Sequence, residues 1–384
     1  MLIKHLRYLL TITGSFFCLS PILVAQNSLS YKLKESAVYA GIEVGSKGVK
    51  MSLIEVKKDL QKNSSFIVLK DTAVNTDFIS FTQTSFQATL SGFTGLYKTA
   101  LNKFNIDAGK IFTVVSSGVK VQAQKSGKMR WVNNLIDSFR SAINDSAKEI
   151  EVVDVLQEAR LSHIGIVPES RRFSTFLIDI GSGNTKGGYF PNDDIHEFKL
   201  FQLSWGTKST VNATEKRLDA DKSVENFNRQ LAAVIDGSAS DEIIYAINYS
   251  GAYDMNDNIA FSGGIAWSVA TLTNPELIDN PVIPVTYEDV EKFYKSLLAN
   301  NAALSELGIT GAITDPTINK EYVAAEVQRV NKVFDQWSLL AGTALLLKIM
   351  RQFEGVYEKK QFYLVKNGQV GWISAYVNQH IVPE

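Results

Sequence analysis

The sequence predicts an α/β protein of two domains with related topology and a cleft between them. Three observations predict it. The chain has 384 residues, 45 % apolar and 21 % charged, enough for a large core and too many for one compact domain. One motif occurs twice: an acid, an apolar residue, Gly-Ser, three more residues and Lys. The copies are Glu43-Val44-Gly45-Ser46 with Lys50 and Asp179-Ile180-Gly181-Ser182 with Lys186, 136 positions apart. Each copy joins two apolar strand patterns, and alternating helix and strand patterns follow both.

The first residues read as a targeting segment. Lys4 and Arg7 form a basic start, Leu9 to Val24 are mostly apolar, and small Ala25 precedes Gln26, the pattern of a signal peptide over residues 1–25. Ser20 and Pro21 interrupt the apolar run, which disfavours a membrane span. Export to the periplasm or beyond is the expectation, with an uncleaved membrane anchor as the alternative. With Lys4 and Arg7 gone, 37 basic residues stand against 40 acids, a net charge of −3. No basic surplus suggests a nucleic-acid partner. Cys18 is the only cysteine and lies in the same segment, so the mature chain has no disulfide, thiol nucleophile or cysteine-based zinc site. The four histidines, His5, His163, His196 and His380, show no metal-ligand spacing.

The first domain is expected over residues 37–170. Its elements are the two strands of the first motif, a strand near Phe66 to Leu69, a helix near Phe86 to Phe104, the strand "IFTVVSS", a helix around Trp131 to Ile143, the strand "IEVVDV" and the helix "QEARLSHIGI". The second domain is expected over residues 171–384, its last helix free to pack back on the first. The strands of the second motif lead to a strand near Phe198 to Leu203, helices from Lys208 to Ile235, and strands "EIIYAI" and "NIAFSGG". The helix "WSLLAGTALLLKIM" and the terminal strand "QFYLVKNGQVGWI" close the chain. Sheets of this kind bind ligands at strand C-terminal ends, so two facing copies place both glycine turns against one cleft.

Each turn has two readings. Gly45 and Gly181 permit a tight turn and let backbone N–H groups approach a ligand without a Cβ in the way. Any Ser-Gly hairpin satisfies the same chemistry, with Asp179 and Lys186 as a cross-strand ion pair. Glu158 likewise suits the first turn of a helix capped by Asp154.

Taken together, these residues resemble the exopolyphosphatase and guanosine pentaphosphate phosphatase (Ppx/GppA) family of the actin-like ATPase superfamily. "GIEVGSKGVK" and "LIDIGSGNTK" are similar to its two phosphate motifs. "VVSSGVK", "VVDVLQEARLSHIGI", "LSWGTKS", "AFSGGIAWSVA" and the closing helix and strand are similar to further family segments in the same order. The resemblance covers about residues 37 to 375. It implies two ribonuclease H-like (actin-like ATPase) domains of duplicated βββαβαβα topology around an interdomain cleft. It further implies a phosphatase, exported as the leader predicts, that hydrolyses phosphoanhydride bonds of a polyphosphate-like or nucleotide-like small molecule, with a homodimer left open. In that scheme Glu158 is the catalytic carboxylate, with Asp179. Glu43 and Asp179 hold Mg²⁺. Gly45, Ser46, Lys50, Ser116, Gly181, Ser182, Gly183, Asn184, Lys186, Gly263 and Gly264 bind phosphate.

Departures from the family pattern bear on activity. Glu43 stands where Asp is usual, Lys47 and Gly48 replace an Asn-Ser pair, Ser182 replaces Gly, and Lys186 replaces Glu. Losing a carboxylate and gaining a cation changes the site's charge by two. The alternative is therefore a catalytically impaired phosphate- or nucleotide-binding module of the same fold. The Lys186 loop also looks like actin's phosphate loop, which motivates a third reading, a filament former.

Overall fold

Two mixed sheets, each begun by an antiparallel hairpin of the duplicated motif, organise the computed structural model. It describes residues 36–57, 66–252, 256–354, 359–366, 368 and 371–381. The leader reading lies outside the described residues.

In the first sheet, β1 (Ser36–Val44), β2 (Gly48–Lys57) and β3 (Phe66–Asn75) run antiparallel. Next to β1, β4 (Ile111–Val115) and β5 (Glu151–Val152) run parallel to it, giving the order β3-β2-β1-β4-β5. Alternate residues Ala40, Ile42 and Val44 of β1 are fully buried, as expected of a strand whose faces are covered by helices. Helices α1 (Gln83–Lys98), α2 (Ser117–Lys125) and α3 (Met129–Ile143) pack on one face. α1 ends in a π-helical turn, Thr99–Lys103, so the predicted single helix to Phe104 changes hydrogen-bond pattern there. α4 (Val155–Ile166) follows β5. It begins where the strand "IEVVDV" was expected to continue: the Asp154 side chain accepts the Gln157 N–H at 2.8 Å, and this cap starts a helix.

The second sheet repeats the plan. β6 (Thr175–Ile180), β7 (Thr185–Tyr189) and β8 (Lys199–Leu203) are antiparallel, while β9 (Asn258–Ser262) and β11 (Gln361–Val365) extend the sheet parallel to β6. β10 (Val282–Val285) is an antiparallel edge, giving β10-β11-β9-β6-β7-β8. Its helices are α5 (Thr207–Glu215), α6 (Val224–Ala233), α7 (Ser240–Ser250), α8 (Gly264–Thr273), α9 (Tyr287–Ala299), α10 (Glu306–Ala312), α11 (Lys320–Val333) and α12 (Gln336–Glu354).

Two sequence expectations fail here. "EIIYAI" lies inside α7, not in a strand. Its isoleucines suggest β structure, but Ile243 and Ile247 are buried while Ile244, Tyr245 and Tyr249 are exposed; a four-residue period makes one buried helical face. The "terminal strand" ends at Val365. From Gly371 the chain is α13 (Gly371–Ile381), whose Trp372, Ile373, Tyr376 and Val377 pack on Ile54, Val56, Val114 and Leu161 of the first domain.

His163 on α4 is fully buried. Its Nε2–H donates to the Thr175 carbonyl at 2.9 Å, and its ring stands edge-on to Phe190. Burial pushes its pKa down to about 4 from 6.5, with the Arg172 charge adding to the effect and the Thr175 hydrogen bond opposing it. Between those values the unfolded chain binds the proton that the native state refuses, so stability falls as pH drops through that window. Urea unfolding at pH 7 and pH 4.5 should show a loss about 1–3 kcal/mol larger for wild type than for His163→Gln. Equal losses would show that His163 does not drive acid lability.

Candidate functional site

The two motif turns are built alike. Gly45 N–H donates to the Gly48 carbonyl at 2.8 Å, and Gly181 N–H to the Asn184 carbonyl at 3.0 Å. Across the hairpins, Glu43 pairs with Lys50 and Asp179 with Lys186 in the same register. The domains bring the turns tip to tip. A Cβ on Gly183 would lie 2.1 Å from the Ser46 hydroxyl, so only glycine permits this approach.

All the phosphate-binding, catalytic and metal residues expected from sequence line one cavity of about 560 Å³ between the domains. Gly263, at the N-terminus of α8, has φ +92, and a Cβ there would meet the Ile180 carbonyl at 2.3 Å. Ser46, Lys47, Ser182 and Gly183 backbone N–H groups donate to no acceptor among the described residues, and the buried Ser46 hydroxyl has no partner there either. Free donors in a concave turn suit an anion.

Charge is concentrated on Lys186, which is 3 % exposed. Its ammonium lies 2.6 Å from Asp179 Oδ2 and 2.9 Å from Glu158 Oε1. The hairpin ion pair read from sequence is therefore present, but buried and shared with a third residue. Burial alone lowers the lysine pKa; Asp179 and Glu158, each also hydrogen-bonded to it, outweigh burial and raise it well above its ordinary value. Glu158 sits in the first turn of α4, and its Oε2 accepts the Ser117 N–H at 2.6 Å. Glu43 accepts the Trp372 indole N–H at 3.1 Å. Burial raises the Glu43 pKa; Lys50 opposes this, while Glu158 and Asp179 add to it.

This donor set does not fit Mg²⁺. Three carboxylates converge, but the Lys186 ammonium stands against two of them and Trp372 engages the third. A divalent ion held by Asp179 needs near-octahedral oxygen ligands and would face that ammonium across a few ångströms in a low-dielectric cleft. Among the described residues, no cluster of three acids, histidines or cysteines is arranged to hold a metal ion.

Sequence reasoning missed part of the wall. Lys47 lies with its ammonium 4.1 Å from the Phe334 ring centre, across the cleft. Burial lowers its pKa to about 8, with the Asp335 charge opposing. Arg329 pairs with Asp71 and lies over Trp267. Trp372, Trp267, Arg329, Lys332 and Phe334 also line the cavity. They come from elements far along the chain, and nothing local marks them; Lys47 alone was visible as a departure from the family pattern.

The same fold has been solved elsewhere. A Ppx/GppA enzyme from Aquifex aeolicus superposes with TM-score 0.56 at 15 % identity, covering 90 % of this chain and 99 % of its own. An exopolyphosphatase-like protein gives 0.58 at 15 %, covering 91 % and 100 %. An exopolyphosphatase from Cytophaga hutchinsonii gives 0.57 at 14 %, covering 90 % and 99 %. The chain has the Ppx/GppA fold. The resemblance read from the motifs thus holds at the level of fold, two actin-like domains around a cleft. No protein-family model and no curated protein matches the sequence.

The Lys186 cluster generates a stability prediction. Removing one member of a buried ionic set leaves its partners uncompensated, so Lys186→Met should cost about 3–5 kcal/mol in chemical denaturation. Adding Asp179→Asn and Glu158→Gln, which removes the stranded charges, should recover most of the loss. A Lys186→Met variant as stable as wild type would mean that the cluster is solvated.

Proposed function

We propose that the cleft binds a small phosphoanhydride anion, of polyphosphate or nucleotide type, and that the chain is a non-hydrolytic binding module of the Ppx/GppA fold. The observation that carries this reading is the engagement of Glu158 and Asp179 by Lys186. A general base must take a proton from a positioned water. Glu158 has a fixed donor on each oxygen, the Lys186 ammonium at 2.9 Å and the Ser117 N–H at 2.6 Å, so a water has to displace one of them before it can be held there. The free N–H groups of the two turns, with Lys47 and Lys50 on the cavity wall, supply donors and charge for phosphate oxygens.

A second reading retains one support. The solved proteins of this fold include exopolyphosphatases, which favours an enzyme that hydrolyses polyphosphate with Mg²⁺ and Glu158. Incubation with polyphosphate and Mg²⁺ separates the two. The binding module should release no free phosphate above background yet give a saturable calorimetric signal with tripolyphosphate. Turnover that Glu158→Gln lowers by about 10²–10⁴-fold would establish the enzyme instead.

We further infer that the mature protein works outside the cytoplasm. The basic start, the apolar run and the Ala25-Gln26 junction support this. Mass spectrometry of the mature protein should find Gln26 at its N-terminus; soluble cytoplasmic protein retaining Met1 would overturn the inference.

A further inference from the structure

We infer that Lys186 serves as the resident cation of the cleft, so that the anion binds without a divalent metal ion. This inference rests on the anion-binding reading and specifies how that site balances charge. Phosphate chains are polyanions, and a site holding Glu43, Glu158 and Asp179 would repel them unless cations intervene. The common solution is Mg²⁺ bridging carboxylates and phosphate oxygens. Here the bridging position is taken by an amino acid.

Four observations converge. The Lys186 ammonium contacts Asp179 and Glu158 at 2.6 and 2.9 Å, neutralising charge that would otherwise face the ligand. Two of its three N–H groups are used there, and the third has no partner among the described residues although the side chain lines the cavity. The ammonium lies 3.4 Å from the position of a Cβ on Gly181, beside the turn that offers the free Ser182 and Gly183 N–H groups. The remaining carboxylate, Glu43, is held by Trp372 and opposed by Lys50 across the hairpin. Every acid that could recruit a metal is thus already matched by a fixed donor, and the lysine keeps one donor for the anion.

A lysine fixed between two acids also differs from Mg²⁺ in kind. It cannot leave with a product, exchange with other ions, or polarise a phosphorus–oxygen bond through direct coordination. It makes a site for holding an anion whatever the free metal concentration.

The test uses the full mature chain and sodium tripolyphosphate in calorimetric titrations, once in EDTA and once in excess Mg²⁺. Binding in EDTA should match or exceed that in Mg²⁺, which sequesters the free anion. Binding seen only with Mg²⁺ would overturn the inference and leave the anion-binding reading intact. Binding in neither condition would remove that reading and the inference with it. Thermal unfolding adds an independent measure. Mg²⁺ alone should leave the wild-type Tm unchanged, and a Mg²⁺-dependent rise would count against Lys186. In Lys186→Glu, which opens the cluster to a metal, Mg²⁺ should raise Tm by about 2–4 °C. The wild-type arms decide the matter should that variant fail to fold.

Discussion

A single ammonium buried between two carboxylates fixes how the parts of this molecule meet. Lys186 is on β7, Asp179 on β6 and Glu158 on α4, and Glu158 reaches on to the N-terminus of α2. Taking these charges out of water costs several kcal/mol for each ion, recovered only where geometry is close and remaining hydrogen bonds are satisfied. The cluster therefore tolerates little displacement. It sets the first turn of α4 against the second glycine turn, and through Ser117 it sets α2 against both. Chemistry in the cleft depends on an arrangement whose first task is to neutralise itself.

Much of this was legible in the sequence because it is local. The duplicated turn, the strands on either side and the apolar periods of α1, α3 and α12 are carried by residues close together in the chain. The pairing of Asp179 with Lys186 follows from hairpin register alone. The third member was not legible as a partner: Glu158 lies 21 positions before Asp179 on a separate helix, and only the resemblance singled it out. Trp372 is 329 positions from Glu43, and its contact depends on where α13 comes to rest. The mistaken strand in α7 has a different cause. β-branched and aromatic residues favour strands on average, but burial on one helical face decided the outcome.

The cleft is closed in this conformation by contacts of several kinds. Gln122 donates to the Gly183 carbonyl and to the Ser204 carbonyl at 2.9 Å. On the opposite wall, Lys47 meets Phe334 and Asp71 meets Arg329. Lys208 reaches Asp77 at 3.4 Å, a partly exposed pair of small energetic worth. Steric fit at the Ser46–Gly183 contact is far stricter than these surface pairs. The domains are held in register by a hydroxyl against a bare α-carbon, with charged side chains around the rim.

α13 gives the fold a temporal order. This helix lies on the first sheet against β1 and β2, so close that a Cβ on Gly41 would come within 2.6 Å of Ile373. A ribosome makes β1 and β2 more than 300 residues before it makes their cover. Until then Ile54, Val56 and Val114 lack the cover that Trp372, Ile373 and Val377 give them. The amino-terminal half thus awaits a segment made much later, and a chaperone that shields such faces during synthesis has a physical reason to act on it.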